Sequence, residues 1–105
     1  MPTMLNVPET AAEGEVVEVK ILISHPMETG FRTDRDGRRV PRNIIHEVRC
    51  EYGGATVFRA ELFPAVTANP FLSFFVRAGA SGDVTLVWVD EAGAEHREVR
   101  PIAVG

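Results

Sequence analysis

The sequence predicts one all-β domain over residues 1–105, an antiparallel β-sandwich of about seven strands. Three observations carry this. Apolar and polar residues alternate with the period of a half-buried strand in several segments. The 7 Pro and 9 Gly are scattered, so few windows of about eleven residues stay free of helix breakers. Turn signals separate the alternating runs at the spacing expected of a sandwich. With 105 residues and 11.5 kDa, the chain has room for one core, which can bury roughly two thirds of the unfolded surface without disulfides or a structural metal.

The strands are expected near residues 4–8, 15–23, 44–52, 55–61, 71–78, 83–90 and 94–104. In the second, Val17, Val19, Ile21 and Ile23 share one face and Glu18 and Lys20 the other. In the third, His46, Val48, Cys50 and Tyr52 lie opposite Glu47, Arg49 and Glu51. Gly53-Gly54 then suits a two-residue hairpin, because both positions accept positive φ. Phe71 to Val76 is apolar nearly throughout, as a strand buried on both faces would be. Val84, Leu86 and Trp88 share a face between Gly82 and the turn Asp90-Glu91-Ala92-Gly93. Trp88 and a single Cys50 lack the paired-cysteine signature of an antibody domain, so the expected sandwich is Ig-like in architecture only.

Residues 24–43 break this rhythm with three turn signals, His25-Pro26, Thr29-Gly30 and Asp36-Gly37. A connection longer than about 12–15 residues in a small domain tends to be functional. From 31 to 42, Arg32, Arg35, Arg38, Arg39 and Arg42 stand against Asp34 and Asp36, a charge of 5 − 2 = +3. The whole chain carries −4, leaving −4 − 3 = −7 elsewhere and marking the loop as a docking surface. A pI near 5.3 argues against nucleic acid as a partner. The longest apolar stretches fall far short of the roughly 20 residues that cross a bilayer, so no membrane span is expected. The N-terminus shows no basic n-region and no apolar h-region, so no signal peptide is expected on this chain.

No catalytic or metal-binding constellation emerges, and no cofactor is expected. His25, His46 and His96 have no second His or Cys at the close spacings of zinc sites. Asp34-Arg35-Asp36-Gly37 resembles the start of a calcium loop, but its twelfth position is Ile45 where Glu is required. Cys50 falls on the core face, where a thiol behaves as a small hydrophobe. An enzyme using Cys50 with His25 or His96 would demand a reactive thiol. His25 has two readings, a partner contact or an imidazole satisfied by backbone where Pro26 ends the strand. Phe71, Phe74 and Phe75 suit either the core or apolar pairing with another subunit.

Leu22-Ile23-Ser24-His25-Pro26-Met27-Glu28-Thr29-Gly30 is the most distinctive run. It is followed by Arg32, Asp34-Arg35-Asp36-Gly37, Val40-Pro41-Arg42 and Ile45. With Ala12 to Val17, Cys50, Phe63-Pro64-Ala65-Val66, Ala68-Asn69-Pro70-Phe71 and Trp88, these residues resemble the SoxZ family along almost the whole chain. SoxZ is the small subunit of the SoxYZ carrier of bacterial thiosulfate oxidation. The resemblance implies an Ig-like sandwich that pairs with SoxY, whose Gly-Gly-Cys-Gly-Gly carboxyl-terminal arm holds the sulfur intermediate. This chain ends Ile102-Ala103-Val104-Gly105, so Cys50 is not expected to inherit the carrier role. The implied role is a non-catalytic scaffold in the periplasm, exported with SoxY, that presents the carrier arm to the cytochrome, hydrolase and dehydrogenase of the pathway. Partner contacts are expected at His25, Met27, Arg32, Arg35, Arg38, Arg39 and Arg42, with apolar pairing from Phe71, Phe74 and Phe75. The alternative is direct binding of thiosulfate or a related oxyanion by the Arg-rich loop.

Overall fold

Eight strands in two sheets form the molecule, in a computed structural model that describes residues 3–105. They are β1 (Met4–Asn6), β2 (Thr10–Ala11), β3 (Val16–Leu22), β4 (Glu47–Tyr52), β5 (Ala55–Glu61), β6 (Phe71–Arg77), β7 (Gly82–Val89) and β8 (Glu95–Val104). One sheet has the order β1-β3-β6 and the other β2-β8-β7-β4-β5. Seven of the eight match the expected segments. The additional β2 pairs parallel with β8, Thr10 against Ala103 and Ala11 against Val104, so the sandwich is antiparallel except at this edge. Two residues are too short to show any periodicity, which is why β2 left no mark in the pattern.

The alternating faces pack as their period requires. Val17, Val19, Ile21 and Ile23 face Val48, Cys50, Val84, Leu86 and Trp88 across the sandwich, and all are buried. Gly53 and Gly54 both adopt positive φ, 63° and 77°, and close the β4–β5 hairpin. The register of that hairpin shifts between Cys50 and Glu51, where Val57 of β5 is the extra, unpaired residue of a bulge. Phe58 of β5 and Phe74 of β6 stack with ring centroids 4.0 Å apart and planes 2° from parallel. β5 and β6 are the edge strands of different sheets, so this stack seals one side of the sandwich.

Two expectations about faces are corrected. β6 is buried on one face only: Phe74 and Val76 point inward, whereas Phe71 (59% exposed) and Phe75 (67%) face outward. β6 lies in an outer layer, and among the described residues nothing covers Phe71 and Phe75. His46 precedes β4 instead of lying within it and is half-exposed. Ile44 and Ile45, adjacent in sequence, are both buried because the chain there crosses the end of the sandwich instead of running along a sheet.

Register assigns Phe74 and Phe75 opposite fates. Phe74→Ala should lower stability by about 3–5 kcal/mol in urea denaturation through loss of the core stack. Phe75→Ala should change it by no more than about 0.5 kcal/mol.

Candidate functional site

The functional candidates gather at the end of the sandwich where β3 leaves its sheet. Ile23 donates its backbone N–H to the Pro70 carbonyl (3.0 Å), extending the sheet by one bond. Pro26 then holds His25 extended, and the chain turns at Met27, whose φ of 51° is rare for a side-chain-bearing residue. That turn drives the Met27 side chain into the core, where its Sδ accepts the Ile45 N–H at 3.3 Å. His25 Nδ1 accepts the Met27 N–H at 3.0 Å, which leaves the ring proton on Nε2. Burial lowers the His25 pKa against the opposing pull of Asp90. The imidazole is thus neutral near pH 7 and serves the turn.

Beyond this plug, the chain forms a two-stranded arm. Glu28 and Asn43 exchange both backbone hydrogen bonds at 2.8 Å. Farther out, Val40 N–H bonds Arg32 C=O and Asp34 N–H bonds Arg38 C=O, each at 2.8 Å. Asp34 Oδ1 accepts the N–H groups of Asp36 (2.9 Å) and Arg38 (3.0 Å) and shapes the tip. Gly30 has φ 89°, and a Cβ there would approach Arg42 Cβ to 3.0 Å, so only glycine lets the two rails close.

The five loop arginines divide into two groups. Arg32 is held by Glu28 (2.7 and 3.1 Å), and Arg42 by Glu91 (3.0 and 3.3 Å). Arg35, Arg38 and Arg39 are exposed at the tip and make no ion pair among the described residues. Glu91 also meets His46 Nε2 at 3.0 Å and accepts the Ile44 N–H at 3.3 Å, so one carboxylate ties the arm's return strand to the β7–β8 turn. Arg42, followed by His46 and the Ile44 amide, holds the Glu91 carboxyl below the usual range. A hollow of about 370 Å³ at the arm's base is lined by Arg42, His46, Arg59, Glu61 and Phe63. Its arginines already face carboxylates, Arg42 on Glu91 and Arg59 on Glu47, which leaves them poorly disposed toward an oxyanion.

The expected contact residues therefore do not form one surface. Met27 and Phe74 are core residues and His25 is engaged in the turn, whereas Phe71, Phe75 and the tip arginines are free to meet another molecule. In the three-stranded sheet, Met4 pairs with Leu22 and Leu22 with Phe71, so an apolar row crosses its outer face. Between Phe71 and Phe75, Lys20, Glu18 and Ser73 satisfy one another, with Lys20–Glu18 at 3.4 Å and Ser73–Glu18 at 2.6 Å. Phe31, at 77% the most exposed large apolar residue among the described residues, was not read as a contact from the sequence; Phe63 was read there only within the family signature and Glu91 only within a turn. A lone Phe in a polar loop leaves no periodic signal, but its place beside Gly30 and five Arg was available. Cys50 is fully buried, and burial pushes its thiol up to about 11. Among the described residues, no group of three or more His, Cys, Asp or Glu is placed to hold a metal ion.

Residues 5–100 match the family model described as "Sulphur oxidation protein SoxZ". No curated protein matches the chain. Among solved structures, the fold is similar to SoxY, described as a sulfur carrier protein, from Chlorobium limicola f thiosulfatophilum. That match has 18% identity and TM-score 0.68, covering 98% of this chain and 78% of that one. It is also similar to a protein from Thermotoga maritima described as a "putative superoxide reductase" (16%, TM-score 0.74, 98% and 85% covered). A third likeness is to superoxide reductase (neelaredoxin) from Ignicoccus hospitalis (14%, TM-score 0.72, 100% and 81% covered). At these identities the structural likenesses show a shared fold and nothing finer.

Two outcomes follow from the site. Because folding lowers the Glu91 pKa, its stabilising contribution is complete above the unfolded carboxylate value near about 4.3 and is lost as pH falls through the folded value. The protection of the Ile44 amide, taken as its exchange rate relative to the unfolded chain at the same pH, should fall on acidification from about pH 5 to about pH 3 in the wild type. In Glu91→Ala that protection should already be lost at the higher pH. For Cys50, labelling by a thiol reagent at pH 8 should be negligible in the native protein and should accelerate only with unfolding in denaturant.

Proposed function

Since the chain belongs to the SoxZ family of sulphur oxidation proteins, we propose that it acts as a non-catalytic scaffold subunit paired with SoxY. The observation that carries this reading is the family match over residues 5–100, which takes in the core strands, the plug at Met27 and the entire arm. The burial of Cys50 supports it, because a thiolate disfavoured by desolvation is unsuited to carrying a sulfur intermediate. In this role the sandwich stabilises SoxY and offers a rigid body against which the cytochrome, hydrolase and dehydrogenase of the pathway can dock. Tethering the substrate to such a body raises its concentration at each docked enzyme without any chemistry by the scaffold. The complex works in the periplasm, this subunit being exported folded together with SoxY.

Several features favour a permanent partner. Met4, Leu22, Phe71 and Phe75 make an outward apolar surface on a sheet whose central charges are already neutralised by one another. Obligate interfaces are drawn from apolar surface of this kind. The arm adds a second, electrostatically distinct surface.

Co-expression with SoxY from the same genome, followed by native mass spectrometry, tests the reading. The expected result is a 1:1 complex in which thiosulfate-derived adducts map to the SoxY cysteine and Cys50 stays unmodified. Adducts on Cys50, or a chain that purifies without SoxY, would overturn it.

A further inference from the structure

The arm is longer than the fold needs. The molecule measures 58 × 22 × 18 Å, and its Cα radius of gyration is 16.1 Å. A compact chain of this length would have a radius near ~13 Å. Its longest strand, β8, has 10 residues and spans about 34 Å at the usual rise per residue. The rails from Glu28 and Asn43 to the tip at Asp36 add roughly eight residues, or about 26 Å, which accounts for the excess. Among the described residues, every hydrogen bond made by residues 31–40 closes within the arm. A two-stranded ribbon without a packed face is marginal in water. Its exposed groups are Phe31, of a type enriched in protein interfaces, and Arg35, Arg38 and Arg39, of a type that often dominates their binding energy.

Charge narrows what the arm can meet. Residues 31–42 carry +3 while the remainder of the chain carries −7. Among the described residues, Lys20, Arg49, Arg59, Arg97 and Arg100 are paired with carboxylates on the sandwich and Arg77 donates to the Gly14 carbonyl, so the cations without a partner are concentrated at the tip. Two copies joined symmetrically through their arms would set +3 against +3, which disfavours a two-fold homodimer. The fitting occupant is a different chain with an acidic surface.

We propose that the arm is a clasp lying along an acidic surface of SoxY, with Phe31 seated in an apolar depression and Arg35, Arg38 and Arg39 on its carboxylates. This rests on the pairing with SoxY proposed above and deepens it by separating two surfaces. The apolar outer face of the three-stranded sheet supplies area, and the arm supplies orientation and rapid capture. Steering by three free guanidinium groups acts on the association rate and is screened by salt over about 10 Å at 0.1 M. Phe31 acts on dissociation, and its contribution does not depend on salt.

Binding of purified SoxY to the full chain should be followed by surface plasmon resonance at low and high salt. The comparison is wild type against Arg35→Ala/Arg38→Ala/Arg39→Ala and against Phe31→Ala. Neither variant touches the sandwich, so thermal melting should be unchanged in both. At about 0.05 M salt, the triple variant should associate at least tenfold more slowly, with the difference closing near about 0.5 M. Phe31→Ala should dissociate roughly tenfold faster at both salts. Arm variants that bind SoxY like the wild type would overturn the clasp and leave the pairing intact. A wild-type chain that ignores SoxY would overturn the pairing and the clasp together. Salt-sensitive self-association of the chain alone, abolished by the triple variant, would assign the arm to a second copy and overturn the assignment to SoxY.

Discussion

Three strands packed on five set the terms for the rest of this molecule. The buried row Val17, Val19, Ile21 and Ile23 on β3 meets Val48, Cys50, Leu86 and Trp88 on β4 and β7, the middle of the larger sheet. The smaller sheet covers that middle and leaves the flanks to be closed by other means. On the β5–β6 side, closure is the Phe58–Phe74 stack. At the end where β3 stops, closure is Met27, Ile44 and Ile45, folded over the core by a turn that His25 and Pro26 hold in place. The arm exists because this plug brings both of its rails out of the core side by side.

The outward faces of the two sheets differ in kind. On the larger sheet, Glu47, Arg49, Arg59, Glu95 and Arg97 form a lattice of opposite charges, with Val87 buried between Arg49 and Arg97 in register. Such a face is satisfied in water and holds little energy for a partner, since exposed pairs contribute only about 0–1 kcal/mol each. The smaller sheet carries Phe71 and Phe75 outward and cancels its central charges through Glu18, Lys20 and Ser73, with Arg77 at its end donating to the Gly14 carbonyl. Desolvating that face strips few unpaired charges. The chain thus presents one surface suited to water, one suited to a permanent neighbour, and an arm whose charge acts at a distance.

The family match and the buried thiol point in the same direction. Carrier chemistry needs an exposed, ionisable nucleophile on a mobile segment, and Cys50 is fully buried in the middle of a sheet with its ionisation suppressed. In the proposed role, the chain would offer shape and charge, which is what a docking body contributes to a tethered intermediate.

Short-range pattern was enough to place seven of the eight strands, the inward residues of β3, β4 and β7, the Gly53-Gly54 hairpin, and the basic character of residues 31–42. Each of these depends on neighbours a few positions apart: side chains alternate with period two, both turn glycines take positive φ, and charge is counted locally. The family was legible too, because its signature is a string of residues in order. Long-range packing made Met27 and Phe74 core and Phe71 and Phe75 surface, gathered Arg42, His46 and Ile44 on Glu91, and left three of the five arginines without an ion pair among the described residues. Those outcomes depend on which strand becomes a sheet edge and on which carboxylate arrives from nearly fifty residues away. An apolar run such as Phe71–Val76 reads the same whether one face of its sheet is covered or two, and only the packing of distant strands settles which.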